Sequence, residues 1–250
     1  MRKTLLITGA SRGIGRATAI GAAARGWNVA FNYRQDEAAA QATLAEIEAQ
    51  GAEGLALRAD VADEAEVVAL FERTVARFGG LDGFVNNAGI VDRSQPLVEM
   101  SAERLRRMFE VNVYGAFLCA REAARHLSRE RGGRGRGGAI VNVSSIAARL
   151  GSPNEYVDYA ASKAALDTLT LGLAKELGPH GVRVNAVRPG VTLTDIHASG
   201  GQPGRAERLG VTTPLGRAGE AEEIAAGILW LLSDEASYTT GALLDIGGGR

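Results

Sequence analysis

The feature that most constrains this chain is an alternation running from end to end. Seven short apolar, β-branched runs, at 3–8, 28–33, 54–58, 83–86, 139–144, 183–188 and 242–246, take turns with longer amphipathic stretches near 14–25, 36–50, 63–78, 101–130, 156–178 and 220–233. A strand that is followed by a helix and another strand of the same sheet returns parallel, through a right-handed crossover. The pattern therefore predicts an α/β fold of the Rossmann type, a doubly wound, seven-stranded parallel sheet with helices on both faces. Glycines close three of the helical stretches, at Arg25-Gly26, Gln50-Gly51 and Phe78-Gly79, as helix ends usually do. No repeat or linker interrupts the alternation, so 1–250 is expected to be one domain.

One segment breaks the rhythm. Residues 191–217 are rich in glycine, carry Pro203 and Pro214 and show little periodicity. A connection of that length inside a compact domain is usually a functional lid. A plain surface insertion is the other option.

The first run leads into Thr8-Gly9-Ala10-Ser11-Arg12-Gly13-Ile14-Gly15, and a helical pattern starts at once. A helix N-terminus carries unpaired N–H groups and partial positive charge, which suits a pyrophosphate. In such a turn Gly9 permits the bend, Gly13 the close approach of backbone to ligand, and Gly15 tight packing of helix on strand. A glycine-rich turn alone is weak evidence; its place between strand and helix strengthens it.

Two further places carry chemistry. Tyr159 and Lys163 are four apart on an expected helix and share one face. A free phenol has a pKa near 10, and a neighbouring ammonium favours its ionised form, so the pair can pass a proton near neutral pH. Alone, this spacing describes a bare helix surface equally well. Tyr156 has no such partner, because Ala160 stands four residues on. Upstream, the run 139–144 ends in Ser144-Ser145, where hydroxyls point into the crevice at the carboxyl end of a parallel strand. Ser145 is the better candidate to hydrogen-bond a substrate oxygen. Asn112 interrupts an apolar stripe of Leu105, Met108, Phe109, Ala116, Cys119 and Ala123, which points either to a site or to a held helix kink.

Taken together and in this order, these residues resemble the short-chain dehydrogenase/reductase family over essentially the whole chain. Within it, the chain is similar to bacterial glucose dehydrogenase-like and 3-oxoacyl-carrier-protein reductase-like members. Gly9, Gly13 and Gly15, with Ser11, Arg12 and Ile14 between them, look like its cofactor turn. Asp60-Val61 looks like its adenine contact, and Asn86-Asn87-Ala88-Gly89 like its central-strand motif. Pro189-Gly190 with Thr194 looks like its nicotinamide-side motif, and Asn112, Ser145, Tyr159 and Lys163 like its catalytic tetrad.

The resemblance implies an NAD(P)-dependent oxidoreductase that moves a hydride between nicotinamide and a small carbonyl or alcohol substrate. In it Tyr159 is the acid/base, Ser145 polarises the carbonyl, Lys163 holds the nicotinamide ribose, and Asn112 supports a water relay. No metal is implied, and His126, His180 and His197 show no metal-ligand spacing. A homotetramer is expected, with a dimer as the simpler assembly, pairing through small residues such as Ala161, Ala164, Ala165, Thr168 and Gly172. The interval between Ser145 and Tyr159 is one residue longer than in many relatives, so the loop of Pro153, Asn154 and Glu155 is expected to shape the substrate pocket, together with Asp92, Arg93, Ala147 and Val191.

The cofactor is expected to be NADP(H), with NAD(H) possible. A carboxylate at the end of the second strand binds the ribose 2′-hydroxyl in NAD-preferring folds. Here Tyr33 takes that place, followed by Arg34, with Arg12 in the glycine turn. Two guanidiniums suit a 2′-phosphate. Asp36 is the counterargument, and is taken as the start of the next helix.

The bulk properties exclude little else. The net charge of -1 points to neither nucleic acid nor an anionic membrane. The arginine–glycine tract at 131–138 is short and lacks aromatics, which favours a solvated loop over an RNA-binding element. The one cysteine, Cys119, allows no internal disulfide and fits a cytoplasmic protein. No apolar stretch is long enough to span a bilayer. A catalytically silent nucleotide sensor of the same fold is the competing function, and would be expected to lack Tyr159 or Lys163.

Overall fold

The computed structural model describes residues 2–129 and 135–250, so part of the arginine–glycine tract, 131–134, lies outside it. From the first strand onward the order is β1 (Thr4–Ile7), α1 (Gly13–Ala24), β2 (Asn28–Tyr33), α2 (Glu37–Ala49), β3 (Gly54–Arg58) and α3 (Glu64–Phe78). The second half runs β4 (Gly83–Asn86), α4 (Ala102–Phe109), a π-helical turn (Glu110–Gly115), α5 (Ala116–Leu127), β5 (Gly138–Val143) and α6 (Ala147–Leu150). It closes with α7 (Val157–Leu177), β6 (Val182–Pro189), α8 (Ile196–Ser199), α9 (Arg205–Gly210), α10 (Ala221–Leu232) and β7 (Leu243–Ile246).

All seven expected strands form, within a residue or two, in one parallel sheet ordered β3-β2-β1-β4-β5-β6-β7. β1 lies between the two halves, with Leu5 opposite Val29 of β2 on one side and Gly83 of β4 on the other. The chain winds outward from β1 in one direction and then, from β4, in the other. That reversal opens a crevice at the carboxyl ends of the strands.

The strands are apolar on both faces because both faces are covered. Leu5 and Ile7 pack into one core with Ala19, Ala22, Ile224 and Ile228, beneath α1 and α10. Leu6, between them, points into the other core with Leu70, Phe71, Leu118 and Val184, beneath α3, α5 and the β6 face.

Two expectations are corrected. The stretch 101–130 is not one helix: α4 and α5 are offset by the π turn, which inserts extra backbone per turn and shifts the faces of the helix. Phe109 consequently leaves the expected apolar stripe and is 41% exposed, while Met108, Asn112 and Cys119 stay buried. The segment 191–217 is not without structure either. It contains α8 and α9, and its ends are joined by hydrogen bonds from Leu193 N–H to Gly219 C=O and from Gly219 N–H to Val191 C=O.

Candidate active site

The crevice contains a cleft of about 850 Å³. Its first wall is the β1–α1 turn. Gly9 and Gly13 both have positive φ, +66° and +56°, a region closed to most side chains. At Gly15 the limit is steric: a Cβ would sit 2.6 Å from Asn87 Nδ2 and from Gly9 O. The start of α1 differs from those of α2, α3 and α4, which are capped by Asp36, Asp63 and Ser101. Arg12 gives α1 no side-chain cap, and its first turn has no acid. The N–H groups of Gly13, Ile14 and Gly15 thus form a seat for an anion, and the glycine cradle fits the dinucleotide that the sequence implies.

The β4 exit braces this turn. Asn87 donates through Nδ2 to Thr8 O and Gly9 O, at 2.8 and 2.9 Å, and the Thr8 hydroxyl accepts from Asn87 N–H and Ala88 N–H. Asn32, a buried residue that the sequence analysis did not single out, accepts from Gly9 N–H at 2.8 Å and donates to Ala59 O at 2.7 Å. At the outer end, Arg34 Nε lies 2.8 Å from Asp60 Oδ2, and Arg107 reaches the same oxygen at 3.4 Å. Asp36 accepts from Ala39 N–H and is occupied as a helix cap. Tyr33 is buried at the position where an acid would bind a ribose.

The third wall is β5 with α7. Both serines border the cleft: the Ser144 hydroxyl is buried and donates to Lys163 O, while the Ser145 hydroxyl lies against Tyr159. Burial pushes the Tyr159 phenol above its usual pKa, and the Ser145 hydroxyl opposes that shift. Lys163 donates from Nζ to Val143 O at 2.9 Å and stands 5.7 Å from the centre of the Tyr159 ring. Burial lowers its pKa to about 8. Gly89 makes room for it, since a Cβ there would lie 3.2 Å from Nζ.

Asn112 sits behind this wall and does not line the cleft. Its Oδ1 accepts from Ile90 N–H at 2.8 Å, and its amide donates to Ile90 O and Ser162 Oγ at 2.9 and 3.1 Å. The amide thus clamps the β4 exit to the π turn. The fourth wall is the β6 exit, where Pro189, Gly190 and Thr194 line the cleft with the start of 191–217. Val61 and Ala88 line the cleft as well.

The substrate end is only partly as expected. Ala147, Pro153, Glu155 and Val191 line it, but Asp92, Arg93 and Asn154 do not. The Arg93 carbonyl instead accepts from Arg104, whose guanidinium also holds the buried Asp158 next to Tyr159. Tyr156 also joins the wall, as do Arg205 and Leu209 from the segment 191–217. Arg205 pairs with Glu155 through both oxygens, at 2.9 and 2.6 Å, and its guanidinium lies 5.0 Å from the Tyr156 ring. Arg205 draws the Glu155 carboxyl below its usual pKa. Tyr156 could have been noticed as a cleft residue from its place in the loop; Arg205 carries no signal in the sequence. Among the described residues, no cluster of His, Cys, Asp and Glu is arranged to hold a metal ion.

A family model described as enoyl-(acyl carrier protein) reductase matches residues 9–250. The chain is 51% identical to an Escherichia coli protein named uncharacterized oxidoreductase YgfF, covering 98% of each chain. It is 42% identical to an L-rhamnose 1-dehydrogenase (NAD(P)(+)) of a Sphingomonas species, covering 99% of this chain and 95% of that one. The crystal structure of a short-chain dehydrogenase from Burkholderia cenocepacia in complex with NADP superposes with a TM-score of 0.88 at 38% identity, covering 99% and 97% of the two chains.

Proposed function

The chain belongs to the short-chain dehydrogenase/reductase family, and from that we propose that its cleft reduces a small carbonyl compound, or oxidises the matching alcohol, by proton transfer through Tyr159. It is an NAD(P)-dependent oxidoreductase. The bound nicotinamide supplies or accepts the hydride. The chain's own residues handle the oxygen. Tyr159 gives a proton from Oη to the substrate oxygen or takes one from it, and Ser145 Oγ donates a hydrogen bond to that oxygen as charge develops. Lys163 presents its ammonium to the ribose and to the phenol. Asn112 holds the β4 exit and the π turn in register behind them.

One observation supports this most strongly: Ser145, Tyr159 and Lys163, from the end of β5 and one face of α7, meet in the same cleft as the uncapped start of α1. A silent sensor would have no need for that convergence. Tyr159→Phe keeps the ring and removes the proton donor, so turnover is expected to fall by roughly 10² or more while NADPH binding persists. Retention of most of the turnover would show that the proton comes from elsewhere.

The finer assignments are part of the same proposal. The cofactor is NADP(H) in preference to NAD(H), because Arg34 is anchored through Nε and leaves its terminal nitrogens for a 2′-phosphate. Segment 191–217 is the lid of a single catalytic domain. The assembly is a homotetramer in the cytoplasm, acting without nucleic acid or membrane partners. In support, Phe109, Tyr114 and Phe117 are exposed along α4–α5 and Leu171 along α7, and no helix among the described residues is long and apolar enough to cross a membrane.

A further inference from the structure

We infer that Asp167 is a positioning residue for Lys163, holding its ammonium charged and in place from one helical turn away; the inference rests on the role proposed for Lys163. The two stand four positions apart on α7, so their side chains leave the same face of the helix. Both are buried. Asp167 Oδ2 accepts two hydrogen bonds from Arg188 of β6, at 3.0 Å from Nε and 2.8 Å from Nη2. Oδ1 is buried and has no hydrogen-bond donor among the described residues.

A buried carboxylate oxygen without a donor is unfavourable unless positive charge nearby offsets it. Arg188 offsets only part, because its Nη1 turns to Asp245 at 3.4 Å, which Arg149 also engages. The other cation acting on Asp167 is Lys163, and their attraction opposes the burial that draws the ammonium toward its neutral form. Around Lys163, the titratable groups are Tyr159 and Asp167 from α7, with Arg188 of β6 behind Asp167. β5 and the π turn present neutral groups, the Val143 carbonyl and the Asn112 amide. Among the described residues, Asp167 is therefore the anion placed to keep the lysine protonated where it meets the cofactor.

The test is NADPH affinity, followed by fluorescence, and kcat/KM, both as functions of pH. In Asp167→Asn the alkaline limb of both profiles is expected to move to lower pH by about one unit or more, with roughly tenfold weaker binding above it. Asp167→Glu should keep the limb near its original place. Arg188→Gln should move it to higher pH, because the carboxylate then acts on Lys163 less neutralised. A merely structural role lowers thermal stability and leaves the limb where it was, and an unmoved limb in folded Asp167→Asn overturns the inference. If that variant does not fold, Arg188→Gln decides: an upward shift supports the inference, and no shift or a downward one overturns it. Lys163→Met separates the two claims. If it retains the wild-type limb, the role given to Lys163 fails, whatever Asp167 does.

Discussion

Arg34 shows how much a single residue settles. The side chain is half exposed, and Asp60 fixes it by one nitrogen, so its outward nitrogens are already oriented. Charge-assisted hydrogen bonds are worth about 1.5–3 kcal/mol each, so one such contact to a 2′-phosphate gives a preference of roughly ten- to hundredfold. Arg34→Ala is expected to lower kcat/KM with NADPH by that factor and to leave kcat/KM with NADH nearly unchanged. Equal loss with both cofactors would refute the assignment. The identity of Arg34 was legible in the sequence, because it follows the second strand. Its partner was not, because Asp60 comes within reach only through the pairing of β2 with β3, which sets Tyr33 opposite Arg58. Nothing in the spacing tells which backbone groups Asn112 holds. Only the fold brings Ile90 to it.

Among the elements, strands were the most legible and the insertions least. Each strand is a run of buried apolar residues whose length and glycine boundaries survive in the sequence. The π turn does not, because an apolar stripe continues across it on both sides and only Phe109 betrays the offset. α8 and α9 have four and six residues, too few for a helical period to show. The β1–α1 turn gives a sharp test at this scale. Gly15→Ala forces a methyl group against Asn87 and the Gly9 carbonyl, and is expected to cost about 1–3 kcal/mol in urea unfolding as well as weakening NADPH binding. A variant as stable as the parent would mean that the helix is free to move off the strand. For 191–217, the ends are tied at Val191 and Gly219, and Arg205 reaches across to Glu155. Amide hydrogens within it should exchange quickly in the protein alone and slowly once NADPH and substrate are bound. Slow exchange without either would argue for a fixed wall instead of a lid.

For the whole molecule, the exposed side of α4–α5 and α7 is the feature that asks for a partner. Phe109, Tyr114 and Phe117 lie close along the chain, and the small residues Ala161, Thr168 and Gly172 leave an open strip on α7. Surfaces of this kind are seldom left to water. Light scattering at micromolar concentration should give four copies, and Phe117→Glu should reduce that number. A monomer in the parent would exclude the assembly.

The bare start of α1 bears on something other than chemistry. α2, α3 and α4 each carry a side-chain cap, whereas the start of α1 has none and stands open to an acceptor from outside the polypeptide. A ligand that binds only the folded chain shifts the unfolding equilibrium by RT ln(1 + [L]/Kd), about 2.7 kcal/mol at a hundredfold excess over Kd. Resistance to heat and to proteases therefore rises and falls with the supply of dinucleotide.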